Sequence, residues 1–193
     1  DLYTGIYNPE TEITVTAGAT QAIFTAILAT VAEEDEVILF TPAYDCYEPA
    51  IDLIGAKTVH IELKGPEYRI DWDNVKKVIN QRTKMIIINT PHNPTGTIMT
   101  AQDMQKLEKL LHGSDILVLS DEVYEHIIFD GYDHQSVARF PQLAERSFII
   151  SSFGKTYHTT GWKIGYCLAP AELMKEFRKA HQYNVFSVHT PSQ

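Results

Sequence analysis

Lys155 is the residue of this sequence best placed for covalent chemistry. It closes the segment Ser-Ser-Phe-Gly-Lys, which follows the apolar run 148–150, so it leaves a predicted strand beside small residues. If the ammonium group is partly removed from water, it loses its proton below the ordinary pKa of about 10.4, and the free amine can attack a carbonyl. Lys163, further along, is a second cation that could hold an anionic group of the same ligand. The alternative for Lys155 is a solvated side chain in a surface turn.

Seven apolar runs rich in β-branched residues predict the strands that position these lysines. Several runs are continuous rather than alternating, as in strands that are covered on both faces. They are residues 13–16, 37–40, 58–63, 85–89, 116–120, 148–151 and 163–168. Helical patterns and start signals predict helices at residues 20–31, 73–80, 100–111 and 171–183. This alternation predicts an α/β fold, with three layers around a mainly parallel, seven-stranded sheet.

The composition limits the class of protein. The 193 residues are 44% hydrophobic, which fits one globular core, and no apolar run approaches the roughly 20 residues that span a bilayer. The net charge of -9, without a basic cluster, argues against nucleic acid and anionic membranes as partners. Cys46 and Cys167 lack the spacing of metal ligands. They predict free thiols in a cytoplasmic protein, and we expect no metal.

Residues typical of ligand sites follow the first two predicted strands. In parallel sheets the ligand lies beyond the carboxyl ends of the strands. Residues 16–22 form a small-residue turn that opens a helix, where backbone N–H groups and the helix dipole favour phosphate, although a structural cap is the alternative. The spacing differs from the Gly-x-Gly-x-x-Gly pattern, which disfavours NAD. Tyr44, after the second strand, provides either an aromatic slab for a flat heterocycle or simple packing.

Further polar groups follow the fourth and fifth predicted strands. Residues 89–96, Asn-Thr-Pro-His-Asn-Pro-Thr-Gly, predict a tight and fixed loop that contains Asn93. Asp121 and Tyr124 follow the fifth strand, and a carboxylate at the end of a buried strand requires a partner. Taken alone, Asp121 is explained equally well as a ligand-binding group or as a helix cap.

The order and spacing of these motifs resemble one family across almost the whole chain. Ser152 and Lys163 flank Lys155 at the spacing of the fold-type I pyridoxal-phosphate-dependent aminotransferases of class I/II, and the Asn-Pro-Thr-Gly segment is similar to theirs. Most of that family has arginine where this chain has Lys163. The segment Gly-Trp-Lys-Ile-Gly at 161–165 resembles the methionine and kynurenine–glutamine aminotransferase branch. A lysine supplies a point charge but not the bidentate fork of a guanidinium.

The resemblance implies a role for each of these residues. Lys155 would hold pyridoxal 5'-phosphate as a Schiff base, Asp121 would pair with the protonated pyridine nitrogen, and Tyr44 would stack on the ring. Asn93 and Tyr124 would bind the phenolic oxygen. Lys155, Asp121 and Tyr124 would thus be the catalytic residues. The cofactor phosphate would be bound by Gly18, Ala19, Thr20, Ser152 and Lys163.

The implied reaction is transamination between an amino acid and a 2-oxo acid. The branch implies a methionine- or aromatic-type L-amino acid as donor and a cytoplasmic homodimer, in which Phe186 reaches the partner subunit's substrate pocket. Residues 1–193 would then be the pyridoxal-phosphate-binding large domain, incomplete at both ends and without the small C-terminal domain. The family also implies cis peptide bonds at Thr41-Pro42 and Asn93-Pro94.

Two other functions remain open at the level of the sequence. A related enzyme of the same fold, such as a β-lyase, a decarboxylase or a cyclase, would share every cofactor motif, because the choice depends on which bond at the α-carbon breaks. An aminotransferase-like sensor domain of a transcription regulator is the second alternative, and a helix-turn-helix pattern upstream would favour it.

Overall fold

Seven strands form one sheet in residues 5–193, the part of the chain that the computed structural model describes. The strands are β1 (Ile13–Thr16), β2 (Glu36–Thr41), β3 (Lys57–Glu62), β4 (Thr83–Asn89), β5 (Leu117–Asp121), β6 (Ser147–Ser152) and β7 (Gly165–Leu168). Their spatial order is β1-β7-β6-β5-β4-β2-β3. All pairs among β2 to β6 are parallel, and β7 is antiparallel to both β1 and β6. The predicted mainly parallel, seven-stranded sheet is confirmed.

Helices connect most of these strands. They are α1 (Pro9–Glu12), α2 (Ala19–Thr30), α3 (Tyr47–Asp52), α4 (Trp72–Val78), α5 (Ala101–Leu111), α6 (Pro141–Ala144), α7 (Phe153–Thr156) and α8 (Ala171–Asn184). The four predicted helices correspond to α2, α4, α5 and α8, with bounds that differ by two residues at most. The other helices are too short to show an apolar periodicity. Thr100 and Asp103 form a reciprocal capping box at the start of α5, as their spacing predicts.

The two faces of the sheet carry separate apolar layers. Ile87 and Leu119 pack on one face with residues of α2, α3 and α8. Their neighbours Ile86 and Val118 point to the other face and pack with residues of α4, α5 and α6. This arrangement confirms the three-layer α/β/α domain. Because the central strands are buried on both sides, their sequences are continuous apolar runs.

The predicted start of the last strand is wrong by two residues. The apolar pattern places it at 163, whereas β7 begins at Gly165. Lys163 has a left-handed backbone, with φ of 52°, and it follows a short 3₁₀ turn at Thr160–Trp162. A residue in that conformation cannot continue a strand. The lysine therefore belongs to the turn that precedes β7.

Three smaller expectations are also settled in the described residues. Thr41-Pro42 and Asn93-Pro94 are cis, as expected, and so are Gly65-Pro66 and Thr90-Pro91. Cys46 and Cys167 are free thiols. Among residues 5–193, none of the helices combines the length and the apolar character needed to cross a bilayer.

Candidate active site

A cavity of about 160 Å³ lies at the edge of the sheet where the parallel strands end. All ten residues that the sequence assigns to the cofactor line it. They are Gly18, Ala19, Thr20, Tyr44, Asn93, Asp121, Tyr124, Ser152, Lys155 and Lys163. These residues lie at the ends of β5 and β6, or in the turns and helix starts that follow β1, β2, β4, β5 and β6. The topology thus brings together residues that are far apart in the sequence, from Gly18 to Lys163.

The start of α2 and Lys163 form one end of the cavity. Gly18 precedes the helix with φ of 81°, a conformation that favours glycine, and no side chain caps the first turn. The first N–H groups of a helix lack intrahelical partners and carry the positive end of its dipole. A Cβ at Gly18 would lie 3.2 Å from Lys163 Nζ. The uncapped helix start and the ammonium group close beside it are together suited to bind an anion, and we call them the anion site.

Asp121 lies at the floor of the cavity as the last residue of β5. Its Oδ2 accepts a hydrogen bond from the Tyr47 hydroxyl at 2.6 Å, and its Oδ1 accepts one from the Val123 N–H at 3.2 Å. Burial raises the pKa of this carboxyl to about 6, although both hydrogen bonds act in the opposite direction. A turn rather than a helix follows at 123–126, so the alternative of a helix cap is wrong. A buried carboxylate of this kind is suited to a cationic partner.

Asn89, the last residue of β4, connects the loop that carries Asn93 to the end of β5, which carries Asp121. Its side-chain oxygen accepts a hydrogen bond from the Asn93 N–H at 2.7 Å, and its Nδ2 donates to the Asp121 carbonyl at 2.9 Å. The amide of Asn89 therefore fixes the relative positions of two predicted site residues. Sequence reasoning gave Asn89 no role, although it opens the Asn-Thr-Pro-His-Asn-Pro-Thr-Gly loop.

Lys155 lies on α7 at the open side of the cavity. Its Nζ is 5.8 Å from the centre of the Tyr124 ring. The side chain is exposed among the residues that the structure describes. The partial burial that would favour loss of a proton from its ammonium group is therefore not observed. An accessible amine beside the cavity can reach a ligand that is bound against Asp121.

Phe186 does not join this group. It lies beyond the end of α8, is 82% exposed, and is not among the residues that line the cavity. The sequence analysis assigned it to the site of a partner subunit rather than to its own. Its exposure is compatible with that assignment but leaves it a prediction.

A buried polar network is centred on Glu122 and Glu125, which follow Asp121 in the sequence. Glu122 accepts hydrogen bonds from the Ser120 hydroxyl at 2.8 Å and the Val137 N–H at 3.1 Å, and its other oxygen lies 2.7 Å from His134 Nε2. Glu125 accepts from the hydroxyl groups of Ser151 at 2.6 Å and Tyr166 at 2.9 Å. The ligand atoms of Glu122, Glu125 and His134 lie within 4.8 Å of one another. Because protein donors already engage both carboxylates, we interpret this network as a brace between β5, β6 and β7. The sequence analysis missed it.

The fold and the cavity define the class of protein. The domain has three layers, with one sheet between two layers of helices. At the strand ends it combines an anion site, a buried carboxylate and an accessible lysine. This is the arrangement of a fold-type I enzyme that uses pyridoxal phosphate. The model of the family "aminotransferase class I and II" matches residues 3–193. The chain belongs to this family.

Curated relatives and solved structures agree with this assignment. The methionine aminotransferase of Escherichia coli (strain K12) is 51% identical over 189 residues, which are 97% of this chain and 49% of the relative. Kynurenine–oxoglutarate transaminase 3 of Homo sapiens is 39% identical over 202 residues, and the match covers 100% of this chain and 44% of the relative. The chain therefore spans about half the length of the curated relatives it matches.

Two solved structures show the same fold. An Escherichia coli protein identified as having a methionine aminotransferase function has a TM-score of 0.97 at 50% identity, covering 98% of this chain and 50% of that chain. Cystalysin from Treponema denticola, which contains a pyridoxal 5'-phosphate cofactor, has a TM-score of 0.88 at 26% identity, with 95% and 48% coverage.

Proposed function

We propose that this chain is the cofactor-binding large domain of an aminotransferase. The whole enzyme transfers the amino group of a methionine- or aromatic-type L-amino acid to a 2-oxo acid. The observation that carries the proposal is the convergence of all ten predicted cofactor residues on one cavity. Family membership and the 51% identical methionine aminotransferase support the same reaction.

The cofactor is pyridoxal 5'-phosphate, and the residues of the cavity fit its two charged ends. The start of α2, Ser152 and Lys163 would hold the phosphate, because they combine unpaired N–H groups, a hydroxyl and a cation. The space beside Gly18, which a Cβ would fill, leaves room there. At the other end, the buried Asp121 carboxylate would hold a protonated ring nitrogen.

When bound, the cofactor supplies a carbonyl that amines can attack and a ring that withdraws electrons from the substrate α-carbon. Lys155 would hold it covalently through Nζ, and the same amine, when free, would be the group placed to move a proton at the substrate α-carbon. Asp121 would retain the proton at the ring nitrogen through its negative charge. Asn93 and Tyr124 would donate hydrogen bonds to the phenolic oxygen, and Tyr44 would cover the ring and exclude water.

The same proposal includes a cytoplasmic homodimer. Tyr183 and Phe186, at and just beyond the end of α8, are 87% and 82% exposed. Large apolar side chains grouped on a surface commonly mark a protein interface. In the dimer, Phe186 would reach the substrate pocket of the partner subunit.

Replacement of Lys155 in the full-length enzyme tests the proposal. We expect Lys155→Ala to lose borohydride-stable attachment of the cofactor and to lower transamination by several orders of magnitude, because the covalent link and the proton carrier are removed. Lys175→Ala, which removes an exposed lysine of α8, is the matched control and should retain both. Borohydride-stable labelling that persists in Lys155→Ala would refute the assignment.

A further inference from the structure

We infer that Tyr47 is a positioning residue for the ring end of this site: its hydroxyl holds the Asp121 carboxylate and its ring braces Tyr44. The inference rests on the proposed function, because it concerns how the chain presents these two groups to the cofactor ring. Tyr47 does not line the cavity, so it acts through Asp121 and Tyr44 rather than on the reacting atoms.

The geometry places Tyr47 between the two groups. It is the first residue of α3 and is 1% exposed. Its hydroxyl donates to Asp121 Oδ2 at 2.6 Å. Its ring meets the Tyr44 ring edge-on, with centroids 5.9 Å apart and an interplanar angle of 75°. Edge-to-face contacts of this kind fix the orientation of both rings. One side chain therefore sets the position of the carboxylate and of the stacking aromatic.

The hydrogen bond also decides where a proton shared with Asp121 resides. A carboxylate that accepts a hydrogen bond from a phenol is less basic, so a proton between it and a ring nitrogen stays on the nitrogen. The other groups facing Asp121 do not replace this donor, because the Val123 N–H donates to the other oxygen, Oδ1, at 3.2 Å. Burial raises the pKa of the neighbouring Cys46 thiol to about 12, and the Glu122 charge opposes ionisation of Asp121. Lys155, Lys163 and Tyr124 lie on the cavity side.

Tyr47→Phe in the full-length enzyme removes the hydroxyl and keeps the ring. We expect kcat to fall by about 10- to 100-fold, the loss typical of one hydrogen bond to a charged group, with little change in KM for the amino donor. We also expect the nitrogen-15 NMR signal of ring-labelled cofactor, bound to the variant, to move towards that of the neutral nitrogen. This second readout reports the proton directly and does not depend on turnover.

Tyr166→Phe is the matched control. It also removes a phenol that donates to a buried carboxylate, since the Tyr166 hydroxyl donates to Glu125 at 2.9 Å, but Tyr166 does not line the cofactor cavity. The inference predicts that only Tyr47→Phe shifts the nitrogen-15 signal. Equal shifts in both variants, or no shift in Tyr47→Phe, would overturn it.

A fluorinated tyrosine at position 47 covers the case in which Tyr47→Phe does not fold. It keeps the hydroxyl and strengthens it as a donor, so the nitrogen-15 signal should move in the opposite direction, towards the protonated form. A shift in the same direction as in Tyr47→Phe, or none, would contradict the inference. If the wild-type enzyme binds no cofactor and transfers no amino group, the proposed function itself fails. That outcome is distinct from a failure of the inference, which is seen only as an altered nitrogen-15 result in the variants.

Discussion

At the scale of single residues, burial in the folded chain disfavours the ionised form of the Asp121 carboxyl. Its carboxyl has an ordinary pKa of 3.8, which burial raises to about 6. Because the folded chain binds this proton more tightly than the unfolded chain, this carboxyl favours folding most when it is protonated, at low pH. The contribution of Asp121 to the free energy of unfolding then falls as the pH rises from 3.8 to about 6. The cofactor's ring nitrogen would supply the missing positive charge.

Asp121→Asn therefore separates the function of this residue from its place in the fold. In the cofactor-free protein, the fall in stability between pH 3.8 and about pH 6 should diminish, because the variant has no carboxyl to titrate. Transamination should slow by orders of magnitude, since a neutral amide does not hold the ring-nitrogen proton. Melting temperature across pH and kcat are the two measurements. A variant that loses melting temperature and activity in parallel would indicate a structural role instead.

At the scale of elements, the site depends on how closely three of them meet at Gly165. A Cβ at this position would lie 2.8 Å from the Ser151 carbonyl oxygen of β6, 2.9 Å from the Gly18 carbonyl carbon and 3.0 Å from the Ala19 nitrogen of α2. All three are backbone atoms, which cannot rotate away as a side chain can. Gly165 thus lets β7 approach β6 and the start of α2, where Gly18 and Ala19 line the cavity.

Gly165→Ala should force these elements apart. We expect a loss of about 1–3 kcal/mol in the free energy of unfolding, as for other overpacked positions, together with weaker binding of pyridoxal phosphate. Gly161→Ala is the control, because a Cβ there would meet no atom within 4 Å and the backbone of Gly161 is not left-handed. Chemical denaturation and cofactor titration measure the two effects. An alanine at 165 that leaves both unchanged would show that the junction has room to relax.

The sequence predicts the elements and the ten cavity residues better than it predicts the contacts between them. Strands such as β4 are predictable because burial on both faces requires a continuous apolar run. Tyr47 was missed because its role depends on Asp121, 74 positions away, and no local pattern records that contact. The backbone crowding at Gly165 and the network around Glu122 were missed for the same reason. Short helices such as α3 were also missed, since six residues are too few to show a helical periodicity.

At the scale of the whole molecule, this chain presents a half-formed pocket. It spans about half the length of the relatives it matches, and Lys155 is exposed on the open side of the cavity. Among residues 5–193, the lining contains the aromatic rings of Tyr44 and Tyr124, but no arginine. The groups that bind the substrate carboxylate and complete the pocket are then expected from the rest of the enzyme and from a partner subunit.

The substrate preference of the full-length enzyme is the prediction that depends on this larger assembly. Aromatic walls suit an apolar or ring-bearing side chain better than a second carboxylate, which needs a cationic partner. Apolar side chains differ by only ~1–3 kcal/mol in such pockets, so activity should be broad. We expect methionine and aromatic donors to exceed aspartate in kcat/KM when a panel of amino acids is assayed with one 2-oxo acid. Aspartate as the best donor would refute the methionine–kynurenine branch while leaving the roles of Lys155 and Asp121 intact.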